Sequence, residues 1–89
     1  MPSNTFTDSK FIDPRHIRMA RSGLGLSVRD LAELAGVNKA TIVRLEAGIQ
    51  PARPSTIDAV RRALEEAGAS FLTDEDPDTI VVAITLKDR

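Results

Sequence analysis

Eighty-nine residues, 42% of them hydrophobic and 3% aromatic, suffice for one small domain near the lower limit of what folds without disulfides or bound metal. There is no cysteine, so disulfides and thiolate metal sites are excluded, and no run approaches the ~18 apolar residues of a membrane span. The formal net charge of −1 is not that of a uniformly basic nucleic-acid binder, but the charge is unevenly placed. Residues 14–56 carry Arg15, Arg18, Arg21, Arg29, Lys39, Arg44 and Arg53 against Asp30, Glu33 and Glu46, whereas residues 69–89 carry Lys87 and Arg89 against Asp74, Glu75, Asp76, Asp78 and Asp88.

Residues 1–10 are polar and aperiodic, and the stretch 1–12 reads as a mobile arm. Their start, Met-Pro-Ser-Asn-Thr-Phe-Thr-Asp, has neither the basic nor the apolar segment of a secretory signal, so a soluble cytoplasmic protein is expected. Asp13 before Pro14 predicts a helix start, with Ile12 and Ile17 spaced as a hydrophobic staple and Ile17, Ala20, Leu24 and Leu26 facing the core. This first helix should run from Pro14 to about Gly23. His16, the only histidine, falls in its first turn with no second candidate ligand nearby, and is expected to be an exposed residue without a role.

Ser27 with Asp30 three residues on gives a capping-box spacing, and Leu31, Ala32, Leu34 and Ala35 supply an apolar face up to a terminating Gly36. Val37 fills the corner. Asn38 then suits the N-cap of a further helix with Ile42 and Leu45 inward and Gly48 at its end. A proline-bounded loop, 49–54, leads to a fourth helix, for which Ser55 is the expected cap and Ile57, Val60, Ala63, Leu64 and Ala67 the buried face, closing at Gly68. The remainder, 69–89, differs in kind: a short strand over 69–72, an acidic loop, and a longer strand over 79–87 in which Ile80, Val82, Ile84 and Leu86 alternate with the opposite face. An isolated hairpin is marginal and leaves an open edge. The apolar row Ile80, Val82, Ile84 and Leu86 is therefore expected to join a homodimer, the alternative being a hairpin packed only on its own domain.

The combination of Ala32, Gly36, Val37, Ile42 and Leu45, followed by Leu45-Glu46-Ala47-Gly48, resembles the helix-turn-helix of the phage-repressor family, that of lambda repressor and Cro, often called Xre-like. The resemblance covers roughly residues 14–68. It implies a mainly α fold, a four- to five-helix lambda-repressor-like domain over 13–68, here followed by a C-terminal β-hairpin or strand. It also implies an ion pair between Arg21 of the first helix and Glu46, which would otherwise be two ordinary surface charges. In that fold the second helix of the motif enters the major groove. Lys39, Ala40, Val43 and Arg44 then become the expected base contacts, with Ala47 also outward, and Ser27, Arg29, Asn38, Thr41 and Arg53 the expected phosphate contacts. Two positions depart from the family pattern: Val28 stands where glutamine is common, and Ala47 where asparagine is common.

The expected function is that of a prokaryotic or mobile-element transcriptional regulator, a repressor binding double-stranded DNA as a homodimer on a two-fold symmetric operator. The alternative is a protein-interaction module on the same fold, an antitoxin or anti-activator whose partner is a toxin or activator protein. No nucleophile–base pair, metal-ligand cluster or phosphate-binding loop is apparent, Gly23-Leu24-Gly25-Leu26 lacking the strand and lysine that such a loop needs, so neither an enzyme nor a cofactor or metal site is expected.

Overall fold

The computed structural model describes residues 12–49, 52–72, 75–76 and 78–86. The chain forms four helices, α1 (Pro14–Gly23), α2 (Val28–Ala35), α3 (Lys39–Ala47) and α4 (Pro54–Ala67), followed by an antiparallel hairpin of β1 (Ala69–Leu72) and β2 (Val81–Ile84). Residues 1–11 of the expected arm, and Asp74 and Lys87 in the C-terminal part, lie outside the described residues.

Local chemistry sets most of the boundaries. Asp13 caps α1 by accepting from the Arg15 N–H at 2.8 Å, and Pro14 stands at the first helical position, where no N–H is needed. The Arg15 guanidinium binds the same carboxylate at 2.9 and 3.0 Å and holds its pKa down at about 2. At α2, the Ser27 Oγ accepts from the Asp30 N–H while the Asp30 carboxylate accepts from the Ser27 N–H, both at 2.9 Å, satisfying two otherwise unpaired donors. Gly36 then takes the left-handed conformation at φ 73°, where an L side chain is strained, and turns the chain toward α3.

His16 corrects the expectation of an idle surface residue. Its Nδ1 accepts the Asp13 N–H at 2.9 Å, completing a capping box at the N-terminus of α1, and its ring meets Phe71 of β1 edge-on at 5.8 Å between centroids. Half-burial pushes its pKa below the ordinary histidine value, which favours the neutral imidazole that this acceptor role requires. The expected Ser55 cap is also corrected. Pro54 already opens α4, so Arg53 is the cap residue, with no side-chain cap bond, and Ser55 lies inside the first turn.

The core is built from one stripe of each helix: Ile17 and Ala20, Leu31 and Ala32, Ile42 and Leu45, then Val60, Ala63 and Leu64, with Ala69 of β1. Leu34 departs from the predicted face and is 57% exposed. At 100° per residue it falls well off the arc of Val28, Leu31, Ala32 and Ala35 that turns inward. Among the described residues no buried side-chain nitrogen or oxygen lacks a partner.

The hairpin packs on α1 and α4. Ala69 and Phe71 pair with Ile84 and Val82, and these four side chains turn toward the helices, whereas Ser70, Leu72, Val81 and Ala83 turn away. Regular strand structure covers only 81–84 of the longer stretch expected. Val82 and Ile84, expected at a dimer face, instead pack on the protein's own core, because the sheet lies directly over α1. Ile80 is half-buried and Leu86 is 53% exposed. Gly23 allows the close approach: a Cβ there would stand 2.8 Å from Ile84 Cγ1. Gly68, at φ 127°, makes the corner into β1, and a Cβ would collide with the Thr85 carbonyl oxygen.

An ion pair ties α1 to α3. Arg21 of α1 donates to Glu46 of α3 through Nε at 2.6 Å and through a terminal nitrogen at 2.9 Å, and its remaining terminal nitrogen reaches the Leu26 carbonyl at 3.1 Å. Their side chains are 21% and 10% exposed, so both charges are largely withdrawn from water.

Two stability predictions follow from this packing. Arg21→Ala, which strands the Glu46 carboxylate, should lower the unfolding free energy by about 2–3 kcal/mol in urea titrations, and Arg21→Lys should fall between it and wild type because the ammonium cannot reproduce the two-pronged geometry. Gly23→Ala should destabilise by about 1–2 kcal/mol despite the better helix propensity of alanine. Combining it with Ile84→Ala should cost less than the two single changes added, since the second removes the atom struck by the first.

Candidate nucleic-acid interface

The α2–turn–α3 unit places one helix with its length exposed on the surface. Asn38 fixes the start of α3, its Oδ1 accepting from the Thr41 N–H at 2.9 Å and the Thr41 hydroxyl at 3.1 Å, and Gly48 at φ 65° ends it. Ile42 and Leu45 anchor the inner side, at 0% and 8% exposure. Geometry then dictates what faces outward: Lys39, Ala40, Val43, Arg44 and Ala47 are all exposed, Val43 at 48%. Glu46 is turned sideways into the Arg21 clasp, which keeps its negative charge off this surface.

The polar groups around α3 are partly committed. The Thr41 hydroxyl is spent on Asn38, but the Asn38 amide nitrogen has no partner among the described residues and is left as a donor at the start of the helix. The Ser27 hydroxyl oxygen accepts from the Asp30 N–H, closing the start of α2. That end of α2 also carries the Asp30 carboxylate, whose pKa is lowered chiefly by the backbone hydrogen bond from Ser27. An anion there therefore meets a negative charge, and Arg29, exposed next to it, is the compensating cation.

Seven basic residues stand between 14 and 56, and the structure divides them. Arg15 is bound to Asp13 and Arg21 to Glu46. Arg18, Arg29, Lys39, Arg44 and Arg53 are exposed and in no ion pair among the described residues. Of the acidic residues in the C-terminal part, Glu75, Asp76 and Asp78 lie exposed in the segment joining β1 to β2, on the hairpin that packs against α1 and α4.

Among the described residues no group of three or more histidine, aspartate or glutamate side chains could hold a metal ion. No helix of the described residues is long and apolar enough to cross a membrane. Residues that sequence reasoning passed over are structural. His16 stands three positions after Asp13, a capping-box spacing that was open to recognition. Gly23 had no sequence signal, because its partner Ile84 is 61 positions away and the contact is purely tertiary.

The comparison with curated proteins found no match. A family model described as a helix-turn-helix domain matches residues 15–70, spanning α1 to α4 and entering β1. With more than half of its length so matched, the chain belongs to the helix-turn-helix family of DNA-binding domains, of the Xre/Cro-like kind.

Proposed function

We propose that the protein is a sequence-specific transcriptional repressor that binds a two-fold symmetric operator as a homodimer, with α3 in the major groove and the segment 79–87 joining the two copies. The observation that carries this reading is the composition of the outer side of α3, where Lys39 and Arg44 flank an apolar strip of Ala40, Val43 and Ala47 on a helix fixed at both ends. Lys39 and Arg44 donate to guanine O6 and N7. Ala40 and Val43 pack on thymine methyl groups. Arg29, Arg53, the Asn38 amide, the Thr41 region and the Ser27 hydroxyl hold phosphates and set the register without reading sequence.

A second reading has one observation in its favour. Leu34, Val43 and Ile49 are 57%, 48% and 69% exposed, more apolar surface than phosphate-rich DNA requires, and such surface suits docking of a protein such as a toxin or activator. An antitoxin that represses its own operon would satisfy both readings.

Selection from a random DNA library by the purified protein should enrich a symmetric motif with half-sites about 10 bp apart, and binding to it should weaken steeply with salt. Arg44→Ala should lose about 1–3 kcal/mol and relax one base position; enrichment of no motif would move the assignment to the interaction module. Replacing individual thymines of the selected site by deoxyuridine removes only the C5 methyl. At positions contacted by Ala40 or Val43 this should weaken binding by about 1 kcal/mol per methyl, and Val43→Ala should abolish the difference at its own position.

A further inference from the structure

His16 sits where the start of α1 meets the hairpin, and it serves both. Its Nδ1 accepts the Asp13 N–H at 2.9 Å, and its ring stands against Phe71 of β1 at 5.8 Å between centroids, with the two planes 78° apart. Phe71 in turn pairs with Val82 across the hairpin and packs on the core. One imidazole thus links the cap of α1 to β1.

The link suits only the neutral ring. A nitrogen that accepts an N–H must be bare, and a proton added at Nδ1 would point at the Asp13 N–H, two donors facing one another. The nearest alternative acceptor is already engaged. The Asp13 carboxylate takes the Arg15 N–H at 2.8 Å and the Arg15 guanidinium at 2.9 and 3.0 Å, and these bonds hold its pKa down at about 2, so it stays charged and occupied across the range in which a histidine titrates.

The charges around the ring are few. On the start of α1, Asp13 favours the imidazolium and Arg15 opposes it. Strands β1 and β2 carry no titratable side chain, and Glu75, Asp76 and Asp78 of the segment between them are exposed. On α4, which packs on α1 and β1, Arg61 is bonded to Glu65 at 3.1 Å and Arg62 to Asp58 at 2.9 Å.

We infer that His16 is an acid-operated latch: a proton taken up from solvent at Nδ1 breaks the bond to Asp13, turns the ring away from Phe71 and loosens the hairpin from α1. The latch is independent of what α3 binds. Burial keeps the folded ring's pKa below the ordinary value of 6.5, so the folded state holds fewer protons than the unfolded chain as the pH falls past that value. The stability that the latch contributes is therefore full above 6.5 and is lost as the pH falls through the folded pKa.

An NMR series on the full chain from about pH 7.5 to about pH 5 tests this, with His16→Gln as the reference protein. Glutamine at the third helical position accepts the same N–H in a capping box but does not titrate. In wild type the His16 ring should titrate below the free-histidine value, and the Asp13 amide and Phe71 ring signals should move with the same midpoint. Amide exchange in β1 and β2, expressed as the wild-type rate over that of His16→Gln at each pH, should rise about fivefold from the top of the range to the bottom, the loss expected for one aromatic contact. A His16 ring that titrates at or above the free value, or Asp13 and Phe71 signals indifferent to its midpoint, would overturn the inference from the wild type alone. An exchange ratio that stays constant with pH would do the same.

Discussion

The Arg21–Glu46 pair is the constraint on which the placement of α3 depends. An exposed pair would contribute little, but this one is largely withdrawn from water, two-pronged, and joined to the Leu26 carbonyl. One guanidinium therefore fixes three parts of the chain at once: α1, the turn after it, and the last turn of α3. The apolar core positions α3 through only two deeply placed side chains, Ile42 and Leu45. Two anchors one turn apart leave rotation about the helix axis weakly determined, and a polar bond with strict direction supplies what packing of smooth aliphatic groups does not. Which residues face outward is decided by that rotation.

Capping does the corresponding work along the chain. Asp13 with His16, Ser27 with Asp30, and Asn38 with Thr41 each close the start of a helix, and Gly36 and Gly48 close two of the ends. Helices of 8 to 10 residues would be marginal alone, so their ends must be defined chemically and their faces buried together. These devices are local, which is why they are legible in the sequence: the bounds of α1, α2 and α3 can be read from cap residues and glycines alone. Ser55 misleads for the same local reason, because Pro54 can open a helix without any side-chain cap.

Where the sequence is less informative, the missing quantity is long-range. Alternation over 79–87 identifies one buried face of a strand correctly in kind, but it cannot say whether the burying surface belongs to the same copy or another. The structure puts α1 beneath β2, and the close approach at Gly23 leaves no room for a second copy on that face. Leu34 is a smaller case of the same limit, an apolar residue near the stripe that the inward arc does not include. For α3 the outward set Lys39, Ala40, Val43, Arg44 and Ala47 follows from helical spacing once Ile42 and Leu45 are inward, so the surface was readable while its role was not. Periodicity gives a surface its membership; only the family, and then experiment, gives it a ligand.

The charge arrangement bears on how such a small domain would hold DNA. A net charge of −1 gives no overall attraction, and internal pairing removes two of the seven cations between 14 and 56 from use. The five that remain exposed are a limited set of cations, and the non-specific electrostatic attraction to DNA grows with each phosphate that a cation meets. A single copy therefore has little with which to bind any DNA tightly. Linking two copies makes the second half-site an intramolecular partner, which multiplies affinity without a new contact, and the gain is largest where two half-sites lie at the correct spacing. On the proposed reading the hairpin and α3 are thus two parts of one device. The low charge suppresses binding to arbitrary sequence, the apolar strip with Lys39 and Arg44 discriminates within a half-site, and self-association through the C-terminal hairpin converts that modest discrimination into occupancy of a two-fold site.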